Sequence, residues 1–200
     1  MRAFRMAVPA ALALAVAGCV APVGPVSVTR FSVPEAASLG RGPIRVAAAP
    51  GIDPAGLEVR SYESAVAGEL ARLGHAVAPV DAVADPALPV AEVQVGREQA
   101  AGRGASPVQL GLGGATGSYG GGVGLGVSIP LGRPPAPPVT TTLSVRIRDR
   151  AGGKALWEGR ASFTVAASSP LAQTQLAAPK LAAALFAGFP GRSGETIEVP

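Results

Sequence analysis

Cysteine and histidine are the side chains best suited to nucleophilic and metal chemistry, and the chain has one of each, Cys19 and His75. A structural zinc site draws on four such ligands and a Cys–His nucleophile needs its base beside the thiol, so neither can be assembled. H-E-x-x-H, G-x-S-x-G and G-x-x-x-x-G-K-[ST] are all absent. Gly122-Val123-Gly124-Leu125-Gly126 lacks the spacing of a dinucleotide fingerprint, and Pro130 follows where a helix should begin. Asp81 and Asp85 are a loop pair of carboxylates with no partner in sequence. His75, directly after Gly74, reads as a solvent-touched loop or strand-end residue. The expectation is a protein that is not an enzyme, with no cofactor and no metal. What remains is the chemistry of Cys19 itself, a thiol preceded by small residues and open to acylation.

The surroundings of Cys19 give that chemistry a setting. Arg2 and Arg5 form a positive n-region, Ala10 to Ala17 an apolar h-region, and Val16-Ala17-Gly18 leads into the cysteine. Residues 6–18 are too few for a transmembrane helix, which needs about 20 apolar residues. This segment resembles a bacterial lipoprotein signal with its lipobox. The resemblance implies that residues 1–18 are removed and that Cys19 becomes an acylated N-terminus carrying diacylglyceryl and palmitate-type chains. Each buried methylene contributes about 0.8 kcal/mol and stable anchoring takes two chains, so such an anchor is effectively permanent. In lipoproteins of this type an aspartate after the cysteine marks inner-membrane retention; Val20 therefore points to the outer membrane.

Removal of the signal also revises the charge. The formal net charge is +4, from 17 basic and 13 acidic residues. Without Arg2 and Arg5 it is +2. The basic residues are scattered, with no run of three and no interleaved aromatics, unlike the charged faces and stacking platforms of nucleic-acid binders. No nucleic-acid partner is expected.

Residues 19–25 read as a tether, and 26–200 as one domain. Val26 to Val33 and Ile44 to Ala48 are strand candidates, stopped by Pro34 and Pro50-Gly51. From Leu57 to Leu73 the period changes. Val59, Tyr62, Val66, Leu70 and Leu73 form the stripe of an amphipathic helix with Gly74 at its C′ position. Ser61 is a candidate cap, while Glu58, Glu63, Glu69, Arg60 and Arg72 are assigned to its solvent side. His75–Ala78 and Val90–Gln99 follow as strands. Thr140–Arg148 and Lys154–Val165 form a hairpin around the turn 149–153, with Leu143, Val145, Ile147, Trp157, Ala161, Phe163 and Val165 inward. Glu158 should pair across it with Arg146 or Arg148. A second helix, Leu171–Ala187, has Leu176, Leu181, Leu185 and Phe186 on its inner face, with Pro179 as a kink or a start. Thr196–Val199 is a last short strand. The fold class is α+β, an antiparallel sheet with two helices on one face.

Residues 102–138 interrupt this pattern with twelve glycines and the prolines 134, 135, 137 and 138. Val123, Leu125, Val127 and Ile129 alternate with small residues, as in a thin β-ribbon weakened by glycine. A flexible loop is the simpler reading of the same stretch.

Three sets of residues carry a wider resemblance: Tyr62-x-x-x-Val66-x-x-Glu69-Leu70-x-x-Leu73-Gly74, Trp157-Glu158-Gly159, and Leu185-Phe186-x-x-Phe189-Pro190-Gly191-x-Ser193-Gly194-Glu195-Thr196. With the lipobox, they resemble a family of Gram-negative envelope lipoproteins carrying a single domain of unknown function. The resemblance covers most of 26–199, outside the Gly/Pro-rich stretch, and implies a signal, one small α+β domain and no assigned catalytic residue. The C-terminal run reads as a helix end plus a return strand rather than a ligand loop. The functional expectation is a membrane-anchored, non-enzymatic lipoprotein of the outer membrane. It would face the periplasm and bind an envelope protein or glycan. The alternative is an oligomeric pore or secretion accessory that uses the ribbon 108–129.

Overall fold

The computed structural model describes residues 24–39, 41–78, 85–100, 109–114, 123–128 and 136–200. The signal 1–18, Cys19, most of the tether and Asp81 lie outside these residues. Nine strands and two α-helices are present among them, with 3-10 helices at Pro34–Leu39 and Pro170–Ala172: β1 (Val26–Ser32), β2 (Pro43–Ala48), α1 (Leu57–Arg72), β3 (Ala76–Val77), β4 (Val90–Gln99), β5 (Gln109–Gly114), β6 (Val123–Ser128), β7 (Pro138–Arg148), β8 (Ala155–Ala166), α2 (Thr174–Phe186) and β9 (Glu195–Val199). Seven strands form one sheet in the order β3-β2-β4-β7-β8-β1-β9, and β5 pairs only with β6.

The fold is α+β, with both helices against one face of a mostly antiparallel sheet. From β4 to β9 every pairing is antiparallel, but β2 runs parallel to both β3 and β4. The crossover through α1 sets β3 parallel to β2, because a strand rejoined after a helical return runs in its original direction, and a second connection from β3 brings β4 back in that direction on the other side of β2. β4 and β7 are in register from Val90↔Arg148 to Gln99↔Val139. The β5–β6 ribbon lies in the connection between them, so it belongs to the arm of that hairpin.

The stripe predicted for α1 is the one that is buried: Val59, Tyr62, Val66 and Leu70 are all among its buried residues. The helix ends as a Schellman motif, in which the Gly74 amide donates to the Ala71 carbonyl and the His75 amide to Leu70, each at 3.0 Å. That geometry needs a left-handed residue, and Gly74 has φ of 92°. Between the helices and the sheet lies one core. It combines Ile44, Val46, Ala91, Val93, Leu143, Val145, Ile147, Trp157, Ala161 and Phe163 with Leu181, Leu185 and Phe186 of α2.

Several side chains sit elsewhere than the sequence suggests. Glu63, expected on the solvent side, is 3% exposed; it follows Val59 by four residues and precedes Val66 by three, which places it at the edge of the buried stripe. Ser61 does not cap α1; Gly56 holds that position and the Ser61 hydroxyl donates to the Leu57 carbonyl from inside the first turn. His75 is buried, carried under the helix end by the Schellman turn. In α2, Leu176 is exposed while Ala177 and Ala178 take the inner positions. Small residues there let α2 lie against α1 and the sheet. Pro179 stands inside α2 rather than at its start.

Candidate functional site

The motif residues of the C-terminal half converge on one structural knot. Alternation along β8 turns Trp157 and Gly159 inward and Glu158 outward. The Trp157 ring stacks on Phe186 at 5.4 Å and tilts against Phe189 at 5.2 Å, while its indole N–H donates to the Pro190 carbonyl at 2.9 Å. Gly159 is where the helix comes closest. A Cβ there would fall 2.8 Å from Leu185 Cδ1 and would overlap the Trp157 ring. Beside it Arg30 is buried, and its Nε and Nη2 donate to the carbonyls of Leu185 and Ala184, each at 3.0 Å. These are carbonyls of the last turn of α2, where helical partners run out; Ala184 also accepts from the Ala187 amide at the C-cap, at 3.4 Å. Burial lowers the Arg30 pKa and the charge of Glu195 opposes that shift. The chain then returns along β1: the Gly194 amide donates to the Arg30 carbonyl, and Ser193 Oγ accepts from the Ser32 amide at 3.0 Å. The run from Phe186 to Thr196 is therefore a helix end and a return strand. Arg30, which completes it, is a residue that the sequence reading placed only as part of a strand. Its alternation with Val26 and Val28 was the available signal.

A second polar knot ties the far ends of the elements together. Arg97 of β4 pairs with Glu58 of α1 at 3.4 Å, Thr174 of α2 donates to Glu58 at 3.1 Å, and Arg97 donates to Thr174 at 3.3 Å. Tyr62 lies against this group, and burial pushes its hydroxyl pKa up to about 12, with the Arg97 charge opposing. Glu63 faces the end of β2. Desolvation raises its pKa, opposed by the charge of Arg60 and a hydrogen bond from the Ala48 backbone.

The remaining residues singled out by sequence do not assemble. The described side chains offer no group of three His, Cys, Asp or Glu that could hold a metal. Asp85 Oδ1 accepts from the Ala87 amide in a local turn. Gly124 and Gly126 lie on β6, opposite Gly113 and Gly111, and open no helix.

Among the described residues no helix lies on the opposite face of the sheet, which forms a concavity of about 480 Å³. Register sets its floor in two cross-strand rows. One runs Thr29, Arg160, Ser144, Gln94 and the other Phe31, Glu158, Arg146, Glu92 across β1, β8, β7 and β4. Ala49 and Pro50 rise along one side and Phe31, 55% exposed, along the other. Glu158 pairs with Arg146 at 2.6 Å, one of the two partners expected for it, and Arg148 pairs instead with Glu92 at 3.0 Å. Arg160 makes no ion pair or side-chain hydrogen bond with the described residues. Three guanidinium groups thus face two carboxylates, and the uncompensated one stands between Thr29 and Ser144.

No family model matches the chain, so the family resemblance rests on the motif residues. Over 79 residues the chain is 34% identical to an uncharacterized protein of Zymomonas mobilis, covering 38% of this chain and 30% of that protein. The chain thus spans under a third of that relative. Among solved structures it is similar to a PDZ domain protein from Parabacteroides distasonis, with TM-score 0.47 and 12% identity over 88% of this chain and 39% of that one. It is also similar to PelC from Paraburkholderia phytofirmans, solved as a dodecamer, with TM-score 0.43 and 18% identity over 84% of this chain and 99% of that one. Among the described residues no helix is long and apolar enough to cross a membrane.

Proposed function

We propose that the chain is an outer-membrane lipoprotein, anchored through acylated Cys19, whose domain faces the periplasm. There it acts without catalysis, as a binding or envelope-assembly module. The observation that carries this reading is the position of Cys19. It ends the h-region and stands seven residues before β1 begins at Val26. An extended link of that length reaches at most about 25 Å, so the anchor would hold the domain next to the membrane. Support for a binding role comes from the division of the sheet. Its inner face is closed by two helices, and the motif residues there are occupied in holding α2. The outer face is concave and polar, and no described helix lies on it.

Metabolic labelling with an alkyne analogue of palmitate tests the anchor. The wild-type chain is expected to take up label and to fractionate with the outer membrane, and Cys19→Ser to do neither. A wild-type chain without label, or membrane attachment unchanged in Cys19→Ser, would overturn the assignment.

One observation favours a second reading, an oligomeric pore or secretion accessory. In the β5–β6 pair Leu110 stands opposite Val127 and Leu112 opposite Leu125, whereas Gly111 opposes Gly126 and Gly113 opposes Gly124. Period-two alternation puts the aliphatic positions on one face and the glycines on the other. Membrane-spanning strands show this division but need about 9–11 residues, and each described strand has six. The same alternation continues in sequence to Val108 and Ile129. Deletion of 102–138 should then abolish oligomers and membrane conductance; unchanged values for both would remove this reading.

A further inference from the structure

We propose that the open face of the sheet binds an acidic saccharide, with the ligand's carboxylate on Arg160 and a pyranose ring on Phe31. This deepens the binding role above by naming a ligand class. Four features of the face point to it. The strands β4, β7, β8 and β1 are each paired on both sides, so the face offers side chains only and no free ladder of N–H and C=O groups. An extended peptide that relies on backbone pairing would go to a sheet edge instead. The row Thr29, Arg160, Ser144, Gln94 presents two hydroxyls and an amide on either side of a guanidinium; the Thr29 hydroxyl shares one hydrogen bond with Thr196 at 2.7 Å and keeps further capacity to accept. That mixture suits a ring bearing several hydroxyls and one carboxylate.

Charge selects the acidic member of that class. Arg146 and Arg148 are engaged by Glu158 and Glu92, which leaves Arg160 with the uncompensated positive charge of the concavity. A guanidinium binds a carboxylate through two parallel N–H donors. Phe31 completes the site. It is a large apolar side chain left 55% exposed at the rim, on the same strand as Thr29 and two residues along β1, in the adjacent cross-strand row. An aromatic face there can stack on the C–H face of a sugar while the polar row takes its hydroxyls. The concavity of about 480 Å³ falls within the range of small-ligand sites, and its residues stand on strands rather than loops, which preorganises them.

Isothermal titration of the purified full chain with an α-1,4-linked galacturonate tetrasaccharide tests this. Its methyl ester serves as the uncharged counterpart, and tetraglutamate as an acidic ligand without a sugar ring. Binding of the free acid is expected, weakened by about tenfold or more on esterification and by a similar factor in Arg160→Gln. Phe31→Ala should weaken it by about fivefold or more, and both variants should melt within about 2 °C of wild type, since both positions are exposed. Equal binding of acid and ester, equal binding of tetraglutamate, or undiminished binding by Arg160→Gln would overturn the proposal. So would the absence of binding at 10 mM ligand. Labelling of Cys19 is read separately, so a protein that takes palmitate yet fails here keeps its anchor and loses only this ligand.

Discussion

Gly159→Ala is the most informative single change to the fold. The added Cβ would sit 2.8 Å from both Trp157 Cζ2 and Leu185 Cδ1, and closer still to Trp157 Cη2, where carbon atoms prefer about 3.5–4.0 Å. Neither neighbour can retreat into space. Leu185 is fully buried, and Trp157 is 1% exposed, held by the Pro190 carbonyl and by stacking on Phe186 and Phe189. Overpacking of this kind costs about 1–3 kcal/mol. If the indole tilts to relieve it, the hydrogen bond forfeits about 1 kcal/mol and the aromatic contacts a comparable amount. A total near 3 kcal/mol lowers the melting temperature of a domain of this size by roughly 6–12 °C. Circular-dichroism melts of Gly159→Ala, Trp157→Phe and the double variant isolate the cause. Phenylalanine lacks the two indole atoms that clash, so the double variant should be more stable than the sum of the single losses by about 1 kcal/mol or more. A Gly159→Ala protein within about 0.5 kcal/mol of wild type, or strict additivity, would refute the close-packing argument.

Two further perturbations probe the buried charges. Arg30→Ala leaves the Leu185 carbonyl at the end of α2 without its donor and Ala184 with the Ala187 amide alone; a loss of roughly 1–3 kcal/mol is expected in urea denaturation, and Arg30→Lys should recover little, because an ammonium cannot span both carbonyls in the same fork. For Glu63, burial holds the folded-state pKa above the ordinary 4.5, so the folded protein keeps this proton more tightly than the unfolded chain. The linked stability is therefore intact below about pH 4.5 and falls as pH rises through the raised value. Glu63→Gln should match wild type at low pH and become progressively the more stable protein toward pH 7, and a difference that does not change with pH would contradict the assignment.

The sequence makes some of this architecture legible because local pattern and burial agree. The α1 stripe, the β7–β8 hairpin and the Glu158–Arg146 pair all follow from periodicity, since one face of each element is apolar and the other charged. Where residue type and position conflict, type misleads. Glu63 carries a charge, so it reads as solvent-facing, yet at about 3.6 residues per turn it falls on the flank of the buried stripe beside Val59 and Leu70, and that position decides. Leu176 is large and apolar but points outward, while alanines hold the inner face of α2. Alternation also carries no strand direction. The parallel pairing of β2 with β3 and β4 comes from the connections, the α1 crossover and the return from β3 to β4, and not from anything within the strands.

The recognisable motifs and the candidate site occupy opposite faces of the same strands. Trp157 and Gly159 are inward, and with Arg30 and the Phe189–Pro190 turn they fix α2 to the sheet. A search guided by unusual residues therefore finds packing. Glu158, between them, is the motif residue that alternation turns to the open face, where it neutralises Arg146. Arg160, two residues on, shares that face without a carboxylate of its own. Such a residue has no sequence signature, because its significance lies in what β1, β7 and β4 place beside it: Thr29, Ser144 and Gln94, residues contributed from three distant parts of the chain. Cross-strand register brings them together, and register is fixed by the buried side of the sheet, since a one-residue slip would turn every core residue outward. The packing motif on the inner face thus sets the geometry of the outer one, and any change that loosens the Trp157 knot should disturb the Arg160 row as well.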